Sequence, residues 1–170
     1  MSIGTTKLCH IAIIVKDIQK TMDNWSNFLG IEKPQVWKIP PSNEVPQFTH
    51  GKLEHYYDCQ FAVFQLANVN IELIQPGEHS GPWKDALEKN GEGVESFAFI
   101  VPDRKEAMKT LKDLGAPKPF HIGYWPGGTY SFTDTSEQLG IEVNIKTDDD
   151  NTEIIKKLQS DPELYKKDLD

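Results

Sequence analysis

Cysteine is scarce in this sequence, and long apolar runs are missing from it. Cys9 and Cys59 are its only cysteines, too few for the disulfide framework of a small secreted domain. No run approaches the ~18 apolar residues that a membrane-spanning helix requires, and the first residues lack the apolar core of a signal peptide. We therefore expect a cytoplasmic protein with free thiols and no contact with a membrane.

Positive charge is also in short supply. The chain of 170 residues carries 18 Lys and Arg against 26 Asp and Glu, a formal net charge of −8, and it has no basic cluster that would bind a nucleic acid. Part of the negative charge lies near the C-terminal end, at Asp148, Asp149, Asp150 and Asp170. The length and the 38% of hydrophobic residues predict one globular domain.

One sequence unit occurs twice. In its first copy the apolar run Leu8 to Val15 predicts a strand, with His10 at its head. Asp17 then predicts the N-cap of an amphipathic helix, and Gly30 predicts the left-handed residue that ends it.

The second copy has the same order of elements. Val94 to Val101 predicts a strand, and the segment from Asp103 to Leu114 predicts a helix. The residue that corresponds to His10 in this copy is Ser96.

Further segments complete each copy. Gln60 to Leu66 and Val69 to Gln75 predict a hairpin, and the second half of the segment Phe48 to Tyr57 predicts another strand. A connecting helix is predicted at Trp83 to Lys89. The remaining predictions are a proline-rich loop at Glu32 to Val45, extended pieces at Pro119 to Tyr124, Thr129 to Thr133 and Leu139 to Lys146, and a helical tail at Asn151 to Asp170.

Together these elements predict an α+β fold. Two paired βαβββ modules form two curved mixed sheets around a shared cavity, followed by a C-terminal helix. Residues 1–170 make a single domain, with module one at about 7–76, a connector at about 77–92, module two at about 93–146 and the tail at about 151–170.

Four motifs in this order resemble the vicinal oxygen chelate superfamily, which includes glyoxalase I, methylmalonyl-CoA epimerase, extradiol dioxygenases and bleomycin-resistance proteins. They read H-I-A-I-x-V-x-D, I-E-L-I-Q-P, G-V-x-S-F-A-F-x-V-x-D and D-T-x-x-x-x-G-I-E-V. The sequence between the modules, IELIQPGEHSGPWKDALEKNGEGV, is most similar to the epimerase and glyoxalase-like members. The resemblance also implies a homodimer that acts on a small-molecule substrate.

The resemblance implies a divalent metal ion (Mn, Co, Ni, Zn or Mg), with one ligand at the start and one near the end of each module. The matching positions are His10, Glu72, Ser96 and Glu142. Ser96 is a poor ligand, so the implied metal set is His10, Glu72 and Glu142. The alternative is that no metal is bound, because Ser96 replaces an expected His. Strand alternation is expected to point Glu95 away from this set.

The implied chemistry is proton abstraction beside a carbonyl that the metal polarises. Glu142 is the position that serves as ligand or base. A second base is expected from Glu54, His55 or Asp58, and Glu54 joins Glu142 in the candidate catalytic set. An extradiol iron site needs two His and one carboxylate, so that chemistry is disfavoured.

Simpler roles compete with these. His10 also suits a buried core histidine, and Glu72 and Glu142 also suit a solvated sheet face. Trp37, Tyr124 and Trp125 either line a substrate cavity or cover the core. His50, His79 and His121 are expected at the surface.

Three functions follow from the resemblance. The first is a metal-dependent isomerase, epimerase or lyase that enolises a small carbonyl compound or acyl thioester. The second is a metal-free protein of the resistance type that binds a small molecule. The third is glyoxalase I (lactoylglutathione lyase), against which the missing His counts.

Overall fold

The structure is a computed structural model that describes residues 2–168; Met1, Leu169 and Asp170, the last at the predicted end of the tail, lie outside the described residues. Its elements in chain order are β1 Leu8–Ile14, α1 Ile18–Leu29, β2 Trp37–Lys38, β3 Gln47–Thr49, β4 Lys52–Leu53, β5 Gln60–Gln65, β6 Asn70–Gln75, α2 Pro82–Asn90, β7 Gly93–Ile100, α3 Arg104–Asp113, β8 His121–Trp125, β9 Gly128–Thr133, α4 Ser136–Leu139, β10 Glu142–Lys146, α5 Thr152–Ser160 and a 3-10 helix, Pro162–Asp168. No helix among these is long and apolar enough to cross a membrane.

The strands form one curled sheet of ten strands, in the order β2-β5-β6-β1-β7-β10-β9-β8-β3-β4. Strands β1 and β6 pair in parallel, as β7 and β10 do, so each module repeats the same arrangement. The antiparallel pairing of β1 with β7 joins the two modules at the centre. The predicted α+β class and the paired modules are confirmed, and the two curved sheets are halves of a single half-barrel.

Local sequence explains the first unit. Asp17 is the N-cap of α1, and its Oδ1 accepts a hydrogen bond of 2.9 Å from the Lys20 N–H. Gly30 has a φ of 68°, and its N–H donates to the Ser26 carbonyl. Ile18 and Met22 are buried against the sheet, so both ends and the packed face of this helix are as predicted.

The two faces of the sheet have different packing partners. The outer face lies under the helices, where α1 covers Ala62, Phe64 and Leu73 and α3 covers Val143 and Ile145. The inner face holds a separate cluster of aromatic and aliphatic side chains, into which α2 inserts its tryptophan. The members of that cluster are Ala12, Ile14, Ile39, Tyr56, Cys59, Phe61, Ile74, Trp83, Tyr130 and Phe132.

Three predicted elements differ from the structure. The predicted strand Leu139 to Lys146 is shortened to β10, because α4 and Gly140, with a φ of 77°, precede it. The predicted tail helix is divided at Asp161, where α5 ends and a 3-10 helix begins.

The third difference concerns the strand that was predicted in the second half of residues 48–57. The strands there are the short pair β3 and β4, and β3 pairs with β8 of the second module. A segment of the first module therefore lies at the far edge of the second module's half of the sheet.

Candidate active site

The inner face of the sheet contains a cavity of about 400 Å³. Its walls are rich in aromatic residues, and its polar side chains come from β1, β6, β9, β10 and the two residues that follow β10. The lining residues are His10, Trp37, Ile39, Phe61, Glu72, Trp83, Trp125, Pro126, Gly127, Gly128, Thr129, Tyr130, Phe132, Asn144, Lys146, Thr147 and Asp148. A small number of polar groups in an apolar cavity is the usual composition of a small-molecule site.

His10 and Glu72 lie together on two neighbouring strands of this cavity. The His10 Nε2 atom is 3.4 Å from Glu72 Oε2, and both side chains are mostly buried, with exposed fractions of 6% and 15%. His10 Nε2 has no hydrogen-bond partner. In its neutral form the ring therefore presents an unpartnered nitrogen beside a carboxylate.

The surroundings of His10 keep it neutral. Burial lowers the pKa of His10 most strongly; the carboxylate of Glu72 raises this pKa, and the ammonium of Lys146 lowers it. A histidine with a pKa below its usual 6.5 is uncharged at neutral pH. Its ring can then accept a proton.

The strand register makes Asn144 the counterpart of Glu72 in the second module. His10 pairs with Asn70 on β6, whereas Ser96, its counterpart, pairs with Glu142 on β10. Two residues further along, Glu72 therefore corresponds to Asn144.

The same register places a lysine in the second module where the first module has an isoleucine. The N–H of Val15 donates to the Ile74 carbonyl, and that of Val101 donates to the Lys146 carbonyl. Ile74 is 1% exposed in the inner cluster, whereas Lys146 lines the cavity. None of the ion pairs found in residues 2–168 involves Lys146.

Two of the three predicted metal ligands, His10 and Glu72, lie together, but the third, Glu142, does not join them. Within residues 2–168, no group of three or more His, Cys, Asp and Glu side chains is placed to hold a metal ion. His10 and Glu72 supply two donors and Asn144 only an amide oxygen, while a structural or catalytic zinc site needs at least three protein ligands. The ammonium of Lys146 in the same cavity also repels a cation. These residues do not fit the resident divalent ion that the resemblance implies.

Glu142 lies in a different cavity, of about 500 Å³, together with Glu95. Ser96 pairs with Ala12 and Val94 with Ile13, which leaves Glu95 as the extra residue of a β-bulge. The expected alternation of β7 is broken there, and the Glu95 and Glu142 carboxyl groups interact. Glu95 does not line the cavity of His10 and Glu72, but it was expected to point away from all three predicted ligands, and for Glu142 this expectation was wrong.

Burial raises the pKa of both carboxyl groups of this pair, Glu95 and Glu142. Burial is the first cause that raises the pKa of Glu142, and the charge of Glu95 is the second. Burial also raises the pKa of Glu95, to about 7. A proton is therefore retained on the pair at neutral pH.

Glu54 is not among the residues that line the cavity of His10 and Glu72. It follows β4 at the far edge of the sheet, where its charge raises the pKa of Tyr56. Its predicted role as a second base stays a prediction.

Two of the three candidate aromatic residues line the cavity. Trp37 and Trp125 do so, with ring centroids 5.8 Å apart and nearly perpendicular planes. Tyr124 is buried on the other side of β8 against Phe48.

His121 was expected at the surface, but it is fully buried. Its Nδ1 lies 2.8 Å from Thr49 Oγ1, which also bonds to the Tyr56 hydroxyl. Burial lowers the pKa of His121 to about 3. The pairing of β8 with β3, which buries this ring, has no local signal in the sequence.

Comparison with known proteins agrees with this fold. A profile described as the Glyoxalase/Bleomycin resistance protein/Dioxygenase superfamily matches residues 9–127. The chain belongs to this superfamily.

Its relatives include epimerases. It is 31% identical over 110 residues to the mitochondrial methylmalonyl-CoA epimerase of Dictyostelium discoideum and 28% identical over 107 residues to the uncharacterised protein YqjC of Bacillus subtilis. These matches cover 64% and 63% of this chain, but 57% and 66% of those proteins.

The fold has solved counterparts. A methylmalonyl-CoA epimerase in complex with methylmalonyl-CoA and ammonium is 18% identical, with a TM-score of 0.59 over 85% of this chain and 95% of that one. At this identity the likeness establishes the fold.

Proposed function

We propose that this protein is an epimerase or isomerase that moves a proton at a carbon next to a carbonyl or an acyl thioester. The observation that carries the proposal is the contact between neutral His10 and Glu72 in a largely apolar cavity. Relatives named as methylmalonyl-CoA epimerases support it.

The chemistry follows from the pair. His10 Nε2 takes the proton from the carbon, and the electron pair of the broken C–H bond moves to the carbonyl oxygen to give an enolate. Glu72 stabilises the imidazolium that forms, because the two groups lie 3.4 Å apart. Return of a proton to the opposite face of the same carbon gives the epimer, and return to a neighbouring atom gives an isomer.

The cavity walls assist this step. Trp37, Phe61 and Trp83 surround the pair with apolar surface. The exclusion of water strengthens the electrostatic interactions of the pair and protects the enolate from competing protonation.

The test is the interconversion of the two epimers of methylmalonyl-CoA. We expect wild-type protein to bring either epimer to the same equilibrium mixture. The variants His10→Gln and Glu72→Gln should each lower the rate by at least about 100-fold, the usual contribution of a general base.

Matched controls come from the same chain. His79→Gln changes a half-exposed histidine outside the cavity, and Glu137→Gln changes an exposed carboxylate outside it; both should keep the wild-type rate. Loss of activity in the controls equal to that in the site variants would contradict the assignment of the site.

A second candidate is a metal-free protein that binds a small molecule. The observation in its favour is the pair of tryptophans, Trp37 and Trp125, which offers a flat ligand two aromatic surfaces. Saturable binding without turnover of any enolisable compound would favour it. Glyoxalase I is a weaker candidate, since only His10 and Glu72 of its four ligand positions are present in this cavity.

A further inference from the structure

The cavity that contains two of the expected metal ligands, His10 and Glu72, also contains a positive charge from the protein itself. Lys146 ends β10 and lines the cavity that contains His10 and Glu72. Asn144 lies on the same face of the strand, since alternate residues share a face.

The setting of Lys146 favours an anionic ligand. Its register equivalent in the first module is the buried Ile74, so the fold itself does not require a charge there. None of the ion pairs in the described part of the chain uses its ammonium group. A partly buried ammonium in a mostly apolar cavity is stabilised by a negatively charged ligand.

The donor set gives a second, independent argument. His10, Glu72 and one amide oxygen, with an ammonium group in the same cavity, are a poor site for a divalent cation. The carboxylates of Glu72 and Asp148 line this cavity as well, so the ammonium of Lys146 is the group there that attracts an oxygen anion. The side chain of Asn144 lines the same cavity, and its amide N–H groups are donors that an anion can use as well.

We propose that Lys146 binds the substrate's carboxylate and that this cation takes the place of the resident divalent metal. The substrate class is then a carbonyl compound or acyl thioester with a carboxylate on the reacting carbon, as in a malonyl thioester. This inference rests on the proposed function for the identity of the reacting carbon. It explains in one step why Ser96 and Asn144 stand at expected ligand positions.

The experiment measures binding, which does not depend on turnover. Malonyl-CoA and propionyl-CoA differ by one carboxylate, and the affinity of each is measured by calorimetry with protein treated with a chelator. Wild type should bind malonyl-CoA at least about tenfold more tightly, the effect of one charge-assisted hydrogen bond. Lys146→Met should lose this preference while propionyl-CoA binds within about twofold of wild type.

The variants separate charge from packing. Lys146→Arg should keep most of the preference, and Lys89→Met, which removes a lysine from the other cavity, should keep all of it. In Lys146→Ala, ammonium chloride should restore part of the preference when sodium chloride at equal ionic strength does not. The solved epimerase that binds methylmalonyl-CoA and ammonium makes this rescue reasonable.

Each result decides the proposal. Equal binding of the two thioesters by wild type, or an unchanged preference in Lys146→Met, would overturn it. So would a preference, or epimer interconversion, that appears only after Mn, Co, Ni, Zn or Mg is added. A wild-type preference for malonyl-CoA that depends on Lys146, without interconversion of epimers, would support the anion site and overturn the proposed function alone.

Discussion

Asn144 holds in the second module the position that Glu72 holds in the first. Glu72 pairs with Ala12 on β1, and Asn144 pairs with Ala98 on β7. One half of the site therefore carries a carboxylate and the other half an amide. We expect this difference in charge between the two halves to influence whether the cavity binds a cation or an anion.

Making the second module match the first should create a cation site. The double variant Asn144→Glu, Lys146→Ile copies Glu72 and Ile74, so it adds a third strong donor and removes the ammonium group. We expect it to bind Mn²⁺ or Co²⁺ at least about tenfold more tightly than wild type, measured by calorimetry. Lys146→Ile alone is the control; if it binds as tightly as the double variant, the register argument is wrong.

The pH dependence of turnover should report His10. Its pKa is lowered below 6.5, and the active form is neutral, so the rate should be level from about pH 7 upward and fall on the acid side. Lys146→Met removes a charge that lowers this pKa, so the acid limb should move to higher pH. Glu72→Gln removes a charge that raises it, so the residual activity should show an acid limb at lower pH. An acid limb unchanged in Lys146→Met would contradict the placement of the ammonium near His10.

His121 should make the fold sensitive to acid. The folded-state pKa is about 3 and the unfolded value is about 6.5, so the unfolded chain binds a proton that the folded chain refuses. The free energy of unfolding should fall by about 1.4 kcal/mol per pH unit as the pH drops below 6.5. In His121→Asn this part of the slope should vanish, whatever the variant's stability at pH 7. Denaturant unfolding between pH 7 and 5 measures it, with His79→Asn as the control.

The carboxyl pair Glu95 and Glu142 should make the free energy of unfolding depend on pH in the direction opposite to that of His121. Since the pKa of Glu142 is raised in the folded state, stability is lost as the pH rises above the unfolded value. Glu142→Gln keeps a neutral amide at every pH. Relative to wild type it should therefore gain on the order of 1 kcal/mol or more in unfolding free energy between pH 5 and 8. Glu137→Gln, an exposed change, should gain nothing; equal gains would mean that the pair is ionised.

The sequence was sufficient for elements whose signals are local. Asp17, the apolar spacing of α1 and Gly30 predicted a helix that the structure contains, and the repeated strand and helix predicted the paired modules. His10 and Glu72 were also predicted together, because the family resemblance implies one ligand at the start and one near the end of each module.

The register of β10 was not predictable in the same way. The tripeptide Ile141-Glu142-Val143 resembles Ile71-Glu72-Leu73, and matching them placed Glu142 in the site. The structure moves the equivalence by two residues to Asn144, because pairing with β7 fixes the register. A shift of two keeps the same face of the strand, so alternation alone could not detect it.

Two other features depended on contacts between distant segments. The bulge at Glu95 arises from the pairing of β7 with β1, and His121 is buried because β3 crosses to β8. Neither pairing has a signature in the residues around it. Long-range pairing determines both, while local propensity determines the helices.

The most direct test of the account is the exchange of the substrate's reacting hydrogen with solvent deuterium. Wild-type protein and His10→Gln are incubated with methylmalonyl-CoA in deuterium oxide after treatment with a chelator, and the signal of the hydrogen on the reacting carbon is followed by proton NMR. The account predicts rapid loss of that signal with wild type and a rate lower by at least about 100-fold with His10→Gln. Equal exchange by the two proteins, or no exchange by wild type above the buffer rate, would contradict the claim that the pair of His10 and Glu72 transfers the proton.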